Sequence, residues 1–252
     1  ILSINVLFLL SANICAQQET PFKVIRTFPI GGDESGWDYL TVHPSNNVLY
    51  VSHGKQVEVL DKTNGKITGV IEGTSGVHGI AFDESKNRGF ISCGKLNAVK
   101  VFDVSTNKVI TTIATGDNPD AIFYEPYSEK IVVCNGRSNN LNIIDPVSSI
   151  ITNTVNVGGK PETAVSDSKG RIFVNIEDKN EIVVIDAKSF TVLHHWSLDK
   201  EKGPSGLAID TKTNRLFSTC DKMLVIVDAD NGKIIKKVPI GDGCDGAAVI
   251  GK

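Results

Sequence analysis

Six polar residues recur at intervals of 40 to 43 positions along this 252-residue chain, and they are its best candidates for chemistry. They are Asp38, His78, Asp120, Glu162, Ser205 and Asp245. Oxygen ligands that converge from several strands suit Ca²⁺ or Mg²⁺, and the possible metal ligands are Asp38, Asp120, Glu162 and Asp245. Clustered carboxylates also raise one another's pKa, which is one way to obtain a general base near neutral pH.

Three interpretations of this set stay open: a ligand or metal site, a catalytic site, and a structural role in which polar strand ends bond to water and to neighbouring backbone amides. His53 and Trp37 join the ligand-binding candidates. His53 is expected at the end of a second strand, from which it could reach the set, and Trp37 directly precedes Asp38. The chain has no nucleophile elbow, phosphate loop or dinucleotide-binding turn, so no catalytic residue is predicted.

The even spacing of these residues indicates that a structural repeat positions them. Apolar–Asp pairs end at Asp61, Asp103, Asp145, Asp186 and Asp228, at steps of 41 or 42 residues. Around the first pair, residues 49–53 and 56–60 read as two strands joined by a turn at Gly54-Lys55. A period of roughly 40 to 45 residues with four short strands per unit indicates a β-propeller.

The repeat predicts an all-β fold of five complete four-stranded antiparallel blades plus a partial closing blade. In the first blade, strands are expected near 38–42, 48–53, 56–60 and 67–72. Residues 22–30 are predicted to be an outer strand without its own blade, and 245–249 the inner strand of a sixth blade that the end of the chain truncates. Small residues such as Gly79 and Ala121 belong on inner strands, and larger ones such as Phe90, Val132, Phe173 and Phe217 belong between the blades.

The first residues differ from the rest in having no charge over 1–16. We expect residues 1–16 to be a signal peptide, clipped at its start, and 17–252 to be one propeller domain. Export to the periplasm or cell surface is favoured over a lipid anchor at Cys15, and a buried first strand is the structural alternative. No later stretch is apolar for the ~20 residues that span a bilayer.

Charge and cysteine content exclude some classes of function. A net charge of −3 and a pI of about 6.0 give no electrostatic basis for nucleic-acid binding. Cys93, Cys134, Cys220 and Cys244 are spread along the chain without Cys-x-x-Cys spacing, which argues against structural zinc. Buried free thiols are expected, and Cys220 with Cys244 is the only pair placed to meet.

Five short lines of sequence resemble degenerate copies of a Tyr-Val-Thr-Asn repeat. They are Tyr50-Val-Ser-His53, Phe90-Ile-Ser-Cys93, Val132-Val-Cys-Asn135, Phe173-Val-Asn-Ile176 and Phe217-Ser-Thr-Cys220. With Ile113-Ala-Thr-Gly-Asp-Asn-Pro119 and Val157-Gly-Gly-Lys-Pro161, they make the chain similar to the YVTN-family propellers, which include YncE-like exported proteins and archaeal surface-layer proteins. The resemblance implies seven blades and a periplasmic or cell-surface location, but no single reaction. Only Asn135 keeps the final Asn of the repeat.

Two functions are therefore expected. The first is an exported, monomeric binding or scaffold module that binds a small molecule or protein through the polar, mostly acidic residues at the mouth of the central channel, and is not an enzyme. The alternative is a hydrolase, lactonase-like and dependent on Ca²⁺ or Mg²⁺, by fold-level analogy with gluconolactonase- and paraoxonase-type propellers.

Overall fold

The computed structural model describes residues 23–32 and 36–250, and the predicted signal peptide lies outside them. Within these residues the chain forms five four-stranded antiparallel sheets, each with its strands in sequence order. The first sheet contains β1 (Trp37–Val42), β2 (Val48–His53), β3 (Gln56–Asp61) and β4 (Ile67–Glu72). The second contains β5 (Val77–Asp83), β6 (Arg88–Cys93), β7 (Ala98–Asp103) and β8 (Lys108–Ala114).

The other three sheets repeat this pattern. The third contains β9 (Pro119–Glu125), β10 (Lys130–Asn135), β11 (Asn140–Asp145) and β12 (Ile150–Asn156). The fourth contains β13 (Pro161–Ser166), β14 (Arg171–Ile176), β15 (Glu181–Asp186) and β16 (Val192–Ser197). The fifth contains β17 (Leu207–Asp210), β18 (Arg215–Cys220), β19 (Met223–Asp228) and β20 (Ile234–Pro239). The first strands of successive sheets lie beside one another, so the sheets are the blades of a β-propeller, as predicted.

Apolar side chains fill the space between neighbouring blades. Between the first two, the rings of Tyr50, Phe82 and Phe102 pack with centroids 5.1 to 6.3 Å apart. Of the large residues predicted between blades, Phe90, Val132 and Phe173 are fully buried and Phe217 is half-buried. Burying one such aromatic side chain stabilises the fold by roughly 1.5–3 kcal/mol. The blades therefore hold together mainly by packing face to face.

The inner strands carry small residues because the blades converge there. A Cβ atom placed on Gly79 of β5 would lie only 2.8 Å from Ile122 Cγ2 and 3.2 Å from the Ile122 backbone nitrogen in β9. Ala81, Ala121 and Ala164 are buried at similar positions on β5, β9 and β13. The taper predicted from the sequence is confirmed, and it brings the polar residues near the start of the inner strands close together.

The repeated aspartates are turn formers, as their position predicted. Asp61 Oδ1 accepts a hydrogen bond from Thr63 N at 2.7 Å, and Asp145 Oδ1 accepts one from Ser148 N at 2.8 Å. Equivalent bonds start the turns after Asp103, Asp186 and Asp228. Backbone N–H groups that bond to the carboxylate favour its charged form, and they lower the pKa of Asp61 and of Asp145.

Two strand predictions at the ends of the repeat are wrong. Residues 23–30 have no strand structure, and Val24 and Ile25 are 85% and 88% exposed. Residues 245–249 are also irregular, although the backbone of Gly246 and Ala247 lies against Gly206. An apolar–polar alternation makes a strand only where a neighbouring strand supplies the ladder of hydrogen bonds, and neither segment has a strand paired with it within 23–32 and 36–250.

The helical content of the described residues is limited to three single turns of 3₁₀ helix, at Glu84–Lys86, Gly94–Leu96 and Glu177–Lys179. None of them is long or apolar enough to cross a membrane. Four cysteines of the described part of the chain are free thiols: Cys93, Cys134 and Cys220 are buried, and Cys244 is half-buried.

Candidate functional site at the channel mouth

All six residues of the predicted set line one cavity at the mouth of the channel between the inner strands. This mouth cavity has a volume of about 660 Å³, and Trp37 and Tyr39 contribute to its wall. Asp38, His78, Asp120 and Glu162 are the second residues of β1, β5, β9 and β13, whereas Ser205 and Asp245 lie in irregular segments. The structure therefore brings the six together, while their binding role stays a prediction.

On one side of the mouth cavity, a histidine lies between two carboxylates. His78 Nδ1 is 2.5 Å from Asp38 Oδ2 and 3.8 Å from Asp120 Oδ2. The hydrogen bond to Asp38 is the main reason that the pKa of His78 is raised. Burial disfavours the charged form of Asp120, and it raises the pKa of that carboxyl in spite of the nearby imidazole.

On the other side, Lys160 forms ion pairs with both Glu162 and Glu177. Burial raises the pKa of Glu162, its hydrogen bond with Glu177 raises it further, and Lys160 opposes both effects. The pKa of Glu177 is lowered because hydrogen bonds from Lys160 and Glu162 outweigh its own desolvation. The cavity thus holds a carboxyl group that takes up a proton more readily than an ordinary glutamate does.

Sequence reasoning missed Lys160, Glu177, Tyr39 and Thr163, all of which line the mouth cavity. Tyr39 and Thr163 directly follow positions of the predicted set, and Lys160 lies two residues before Glu162. Their nearness in sequence was the available signal. Glu177 gave a weaker one, because it reaches the cavity from the 3₁₀ turn that follows β14.

Buried polar side chains on second strands hold the backbone of the next blade's site residue. Ser52 Oγ donates to His78 O, and Asn175 Nδ2 donates to Ser205 O at 3.1 Å. Ser92 Oγ likewise donates to Asp120 O, on the inner strand of the third blade. Ser52, Ser92 and Asn175 all occupy the third position of the Tyr-Val-Thr-Asn-like lines. A polar residue at that position was the sequence feature from which these inter-blade hydrogen bonds could have been predicted.

His53 lies behind the wall of the mouth cavity and does not line it. Its ring stacks on Trp37 with centroids 3.7 Å apart and an interplanar angle of 7°. It is 4% exposed, and its Nδ1 is 3.4 Å from Glu58 Oε1. His53 instead lines a second cavity of about 570 Å³, together with Lys55 and Lys95. His53 therefore supports Trp37, which is 41% exposed and walls the mouth.

The four predicted metal ligands do not form a ready coordination site. Among residues 23–32 and 36–250, no group of three His, Cys, Asp or Glu side chains is arranged to hold a metal ion. Asp38 is hydrogen-bonded to His78, and Glu162 is paired with Lys160. These contacts already engage carboxylate oxygens that an ion would need as ligands, so the donor set does not fit the predicted Ca²⁺ or Mg²⁺.

Comparison with known proteins agrees with this architecture. The solved structure of the Kuenenia stuttgartiensis hydrazine synthase superposes with a TM-score of 0.77 at 16% sequence identity. The match covers 87% of this chain and 70% of that chain, and at this identity it shows the fold alone. No curated protein sequence matches.

A family model described as YNCE-like beta-propeller matches residues 85–251, from the turn before β6 to the end of the repeat. This match covers about two thirds of the sequence and confirms the resemblance that the Tyr-Val-Thr-Asn-like lines indicated. The chain therefore belongs to the family of YNCE-like β-propellers.

Proposed function

We propose that this propeller is an exported binding module whose mouth cavity takes a small polar ligand that carries positive charge. The supporting observation is the balance of charge on the cavity wall. Five carboxylates line it, against one lysine and one histidine. The carboxylates are Asp38, Asp120, Glu162, Glu177 and Asp245. Even with both bases protonated, the wall carries an excess of acidic groups, and low-dielectric walls concentrate the resulting field.

The form of the cavity favours an ammonium or amine over a bare ion. Trp37 and Tyr39 form part of the wall, and an aromatic face within about 6 Å of a cation contributes roughly 0.5–2 kcal/mol. A volume of about 660 Å³ is also in the range of small-molecule sites. A short polyamine matches this combination of aromatic wall and separated carboxylates.

Spermidine is the probe for this proposal, and isothermal titration calorimetry is the measurement. We expect saturable 1:1 binding that weakens as salt is raised from 50 to 500 mM, because added ions screen the carboxylates. Succinate, which carries the opposite charge, is expected not to bind. Asp120→Asn is expected to weaken spermidine binding about 10-fold, since it removes one of the negative charges on the wall of the cavity.

Glu129→Gln is the matched control, because Glu129 is an exposed acid in the turn before β10 and does not line the mouth cavity. It is expected to bind spermidine as the unmodified protein does. Equal losses in Asp120→Asn and Glu129→Gln would mean that spermidine responds only to net charge. Absence of spermidine binding at low salt would overturn the small-cation proposal and favour a module that binds protein partners.

The metal-dependent hydrolase has less support, because no group of three His, Cys, Asp or Glu side chains within 23–32 and 36–250 is arranged to hold a metal ion. The raised pKa values of Glu162 and Asp120 are the observations in favour of acid–base chemistry at this site. Titration of chelator-treated protein with Ca²⁺, followed by a lactone hydrolysis assay, distinguishes the two functions. Stoichiometric Ca²⁺ binding that Asp120→Asn abolishes, together with Ca²⁺-dependent hydrolysis, would favour the enzyme.

Export is the other part of the proposal, and it is supported by the uncharged, apolar character of residues 1–16. Fusion of residues 1–30 to a reporter enzyme that is active only outside the cytoplasm tests it. We expect reporter activity, and we expect it to disappear when two of the apolar residues in 4–10 are replaced by lysine. Reporter activity that survives both lysines would argue against a signal peptide.

A further inference from the structure

Two of the free cysteines come from neighbouring parts of the propeller and share one cavity. Cys220 ends β18, and Cys244 lies in the irregular segment after β20. Both line a cavity of about 340 Å³ that also contains Ser205 and Asp245 of the channel mouth. Cys93 and Cys134 line neither this cavity nor the mouth cavity.

Hydrogen bonds fix the two segments beside each other. Ser205 Oγ donates to the carbonyl oxygen of Cys244 at 3.2 Å, and Ser205 N donates to Thr219 O at 2.9 Å. Thr219 directly precedes Cys220. A single residue therefore ties the backbone at Cys244 to the strand that ends in Cys220.

The repeat provides an independent check on this proximity. His53 and Val77 occupy the equivalent positions in the first two blades, and each pair is 24 residues apart. There, Val77 N donates to the carbonyl oxygen of Gly54, the residue after His53, at 3.3 Å. These two repeat positions are thus backbone neighbours where both blades are complete.

We propose that Cys220 and Cys244 form a reversible disulfide that ties the fifth blade to the segment carrying Asp245. The movement that brings the two sulfur atoms to bonding distance is expected in the irregular turn that contains Cys244, because Cys220 is held at the end of β18. Cys244 Sγ now bonds to Gly241 O at 3.3 Å in the same glycine-rich turn. The proposal is independent of which ligand the mouth cavity binds.

The two thiols have different roles when the oxidant is a small disulfide such as oxidised glutathione. Half-buried Cys244 is the accessible one, so its thiolate attacks first: a bond forms between Cys244 Sγ and one glutathione sulfur, and the other glutathione leaves as a thiol. The Cys220 thiolate then attacks Cys244 Sγ and releases the second glutathione. Two protein thiols lose two electrons and two protons, and one oxidised glutathione becomes two reduced molecules.

The second step is expected to be slow near neutral pH. Burial raises the pKa of Cys220 to about 11, so little of it is thiolate at pH 7. The rate of this step should increase about 10-fold per pH unit between pH 7 and 9, in proportion to the thiolate fraction. A disulfide made by random oxidation of an unfolded chain would not show this order of events.

The test uses the full chain, reduced with dithiothreitol, freed of it, and exposed to oxidised glutathione without denaturant. Acid quenching, alkylation and peptide mapping by mass spectrometry then identify each cysteine, Cys15 included. We expect a Cys220–Cys244 cross-link that dithiothreitol reverses, with Cys93 and Cys134 still alkylated. In Cys220→Ser, the glutathione adduct at Cys244 should persist, and in Cys244→Ser, Cys220 should stay reduced.

Cys93→Ser is the matched control, because Cys93 occupies the same position of the second blade as Cys220 does in the fifth, and Pro119 stands in place of a partner. It is expected to leave the cross-link unchanged. A wild-type protein that stops at the glutathione adduct on Cys244, or that gives no reaction at either thiol, would overturn the proposal. So would a cross-link that joins Cys220 to Cys93 or Cys134.

Discussion

Replacing Arg171 with methionine is expected to destabilise the propeller by about 3 kcal/mol. Arg171 begins β14 and reaches across to the fifth blade, where its Nη1 donates to Ala229 O at 2.5 Å and its Nη2 to Asp230 Oδ1 at 3.1 Å. Its Nε donates to Asp167 Oδ2 at 2.8 Å. Asp167 is only 2% exposed, so Arg171→Met removes the counter-charge of a buried carboxylate.

The expected cost of about 3 kcal/mol depends on the hydrogen bonds that the Asp167 carboxylate retains in Arg171→Met. Breaking a buried ion pair by removing one partner costs about 3–5 kcal/mol. Asp167 Oδ1 still accepts backbone hydrogen bonds from Lys169 at 2.8 Å and from residue 171 at 3.0 Å, which places the cost at the lower end. The exposed contact with Asp230 adds little, since surface pairs contribute about 0–1 kcal/mol.

Arg88→Met is the matched control. Arg88 begins β6 and also bridges to the next blade, but its Nη1 donates to the carbonyls of Pro146 at 2.6 Å and Val147 at 2.7 Å. Its cost should be about 1.5 kcal/mol, the low end for hydrogen bonds that involve a charged group, because the guanidinium is partly solvated and no buried charge is left behind. Adding Asp167→Asn to Arg171→Met should restore part of the stability, because the buried charge is then gone.

The pH dependence of the unfolding free energy distinguishes loss of the ion pair in Arg171→Met from loss of side-chain packing. Burial alone would raise the pKa of Asp167, but hydrogen bonds from the backbone and side chain of Arg171 outweigh it and lower that pKa. A lowered pKa contributes stability that is present above the unfolded value of about 3.9 and is lost as pH falls through the folded value. The difference in unfolding free energy between wild type and Arg171→Met should therefore shrink below pH 4.

Urea unfolding followed by circular dichroism measures these free energies at pH 7 and pH 3.5. The reasoning fails if Arg171→Met costs no more than Arg88→Met at pH 7. It also fails if the cost of Arg171→Met is the same at both pH values, since the loss would then come from the packing of the arginine stem.

Three further outcomes are expected. Gly79→Ala should destabilise the fold by about 1–3 kcal/mol in urea unfolding, because its Cβ would overlap the neighbouring inner strand, whereas Gly31→Ala, with open space around the new Cβ, should be neutral. Ser92→Ala should cost about 1–3 kcal/mol in the same assay, since it leaves a buried carbonyl of the next inner strand without its donor. Lys160→Met should raise the pKa of Glu162 further above its ordinary 4.5, measured by the carboxyl carbon chemical shift across pH, because a nearby cation is what lowers it; an unchanged midpoint would refute this.

The sequence predicted the blades well because a repeat is a strong signal. Strand ends of the first blade agree to within one residue, and the six spaced polar residues do meet. The spacing of the repeat shows which residues occupy equivalent positions, but it does not show how far a long side chain reaches. Lys160 and Glu177 were therefore missed. The spacing also does not show which of two stacked side chains faces the cavity. Trp37 lines the mouth cavity, and His53 is buried behind it.

The two incorrect strands have a different cause. Residues 22–30 and 245–249 carry the residue types of a strand, but strand formation depends on a second segment that no local pattern contains. Cys220 and Cys244 are the opposite case, because the repeat alone places them on the same face of neighbouring blades, and they line one cavity.

Three hydrogen bonds run from one blade to the following one: from Ser52 to His78, from Ser92 to Asp120 and from Asn175 to Ser205. The support of these positions therefore has a direction: His78, Asp120 and Ser205 each depend on the integrity of the sheet that precedes them in the chain. Local opening of an upstream sheet would release the downstream residue, while the reverse event would leave the upstream residue anchored. Amide hydrogen exchange should accordingly show that the protection of β5 follows the stability of the first sheet, and that the protection of β9 follows the stability of the second.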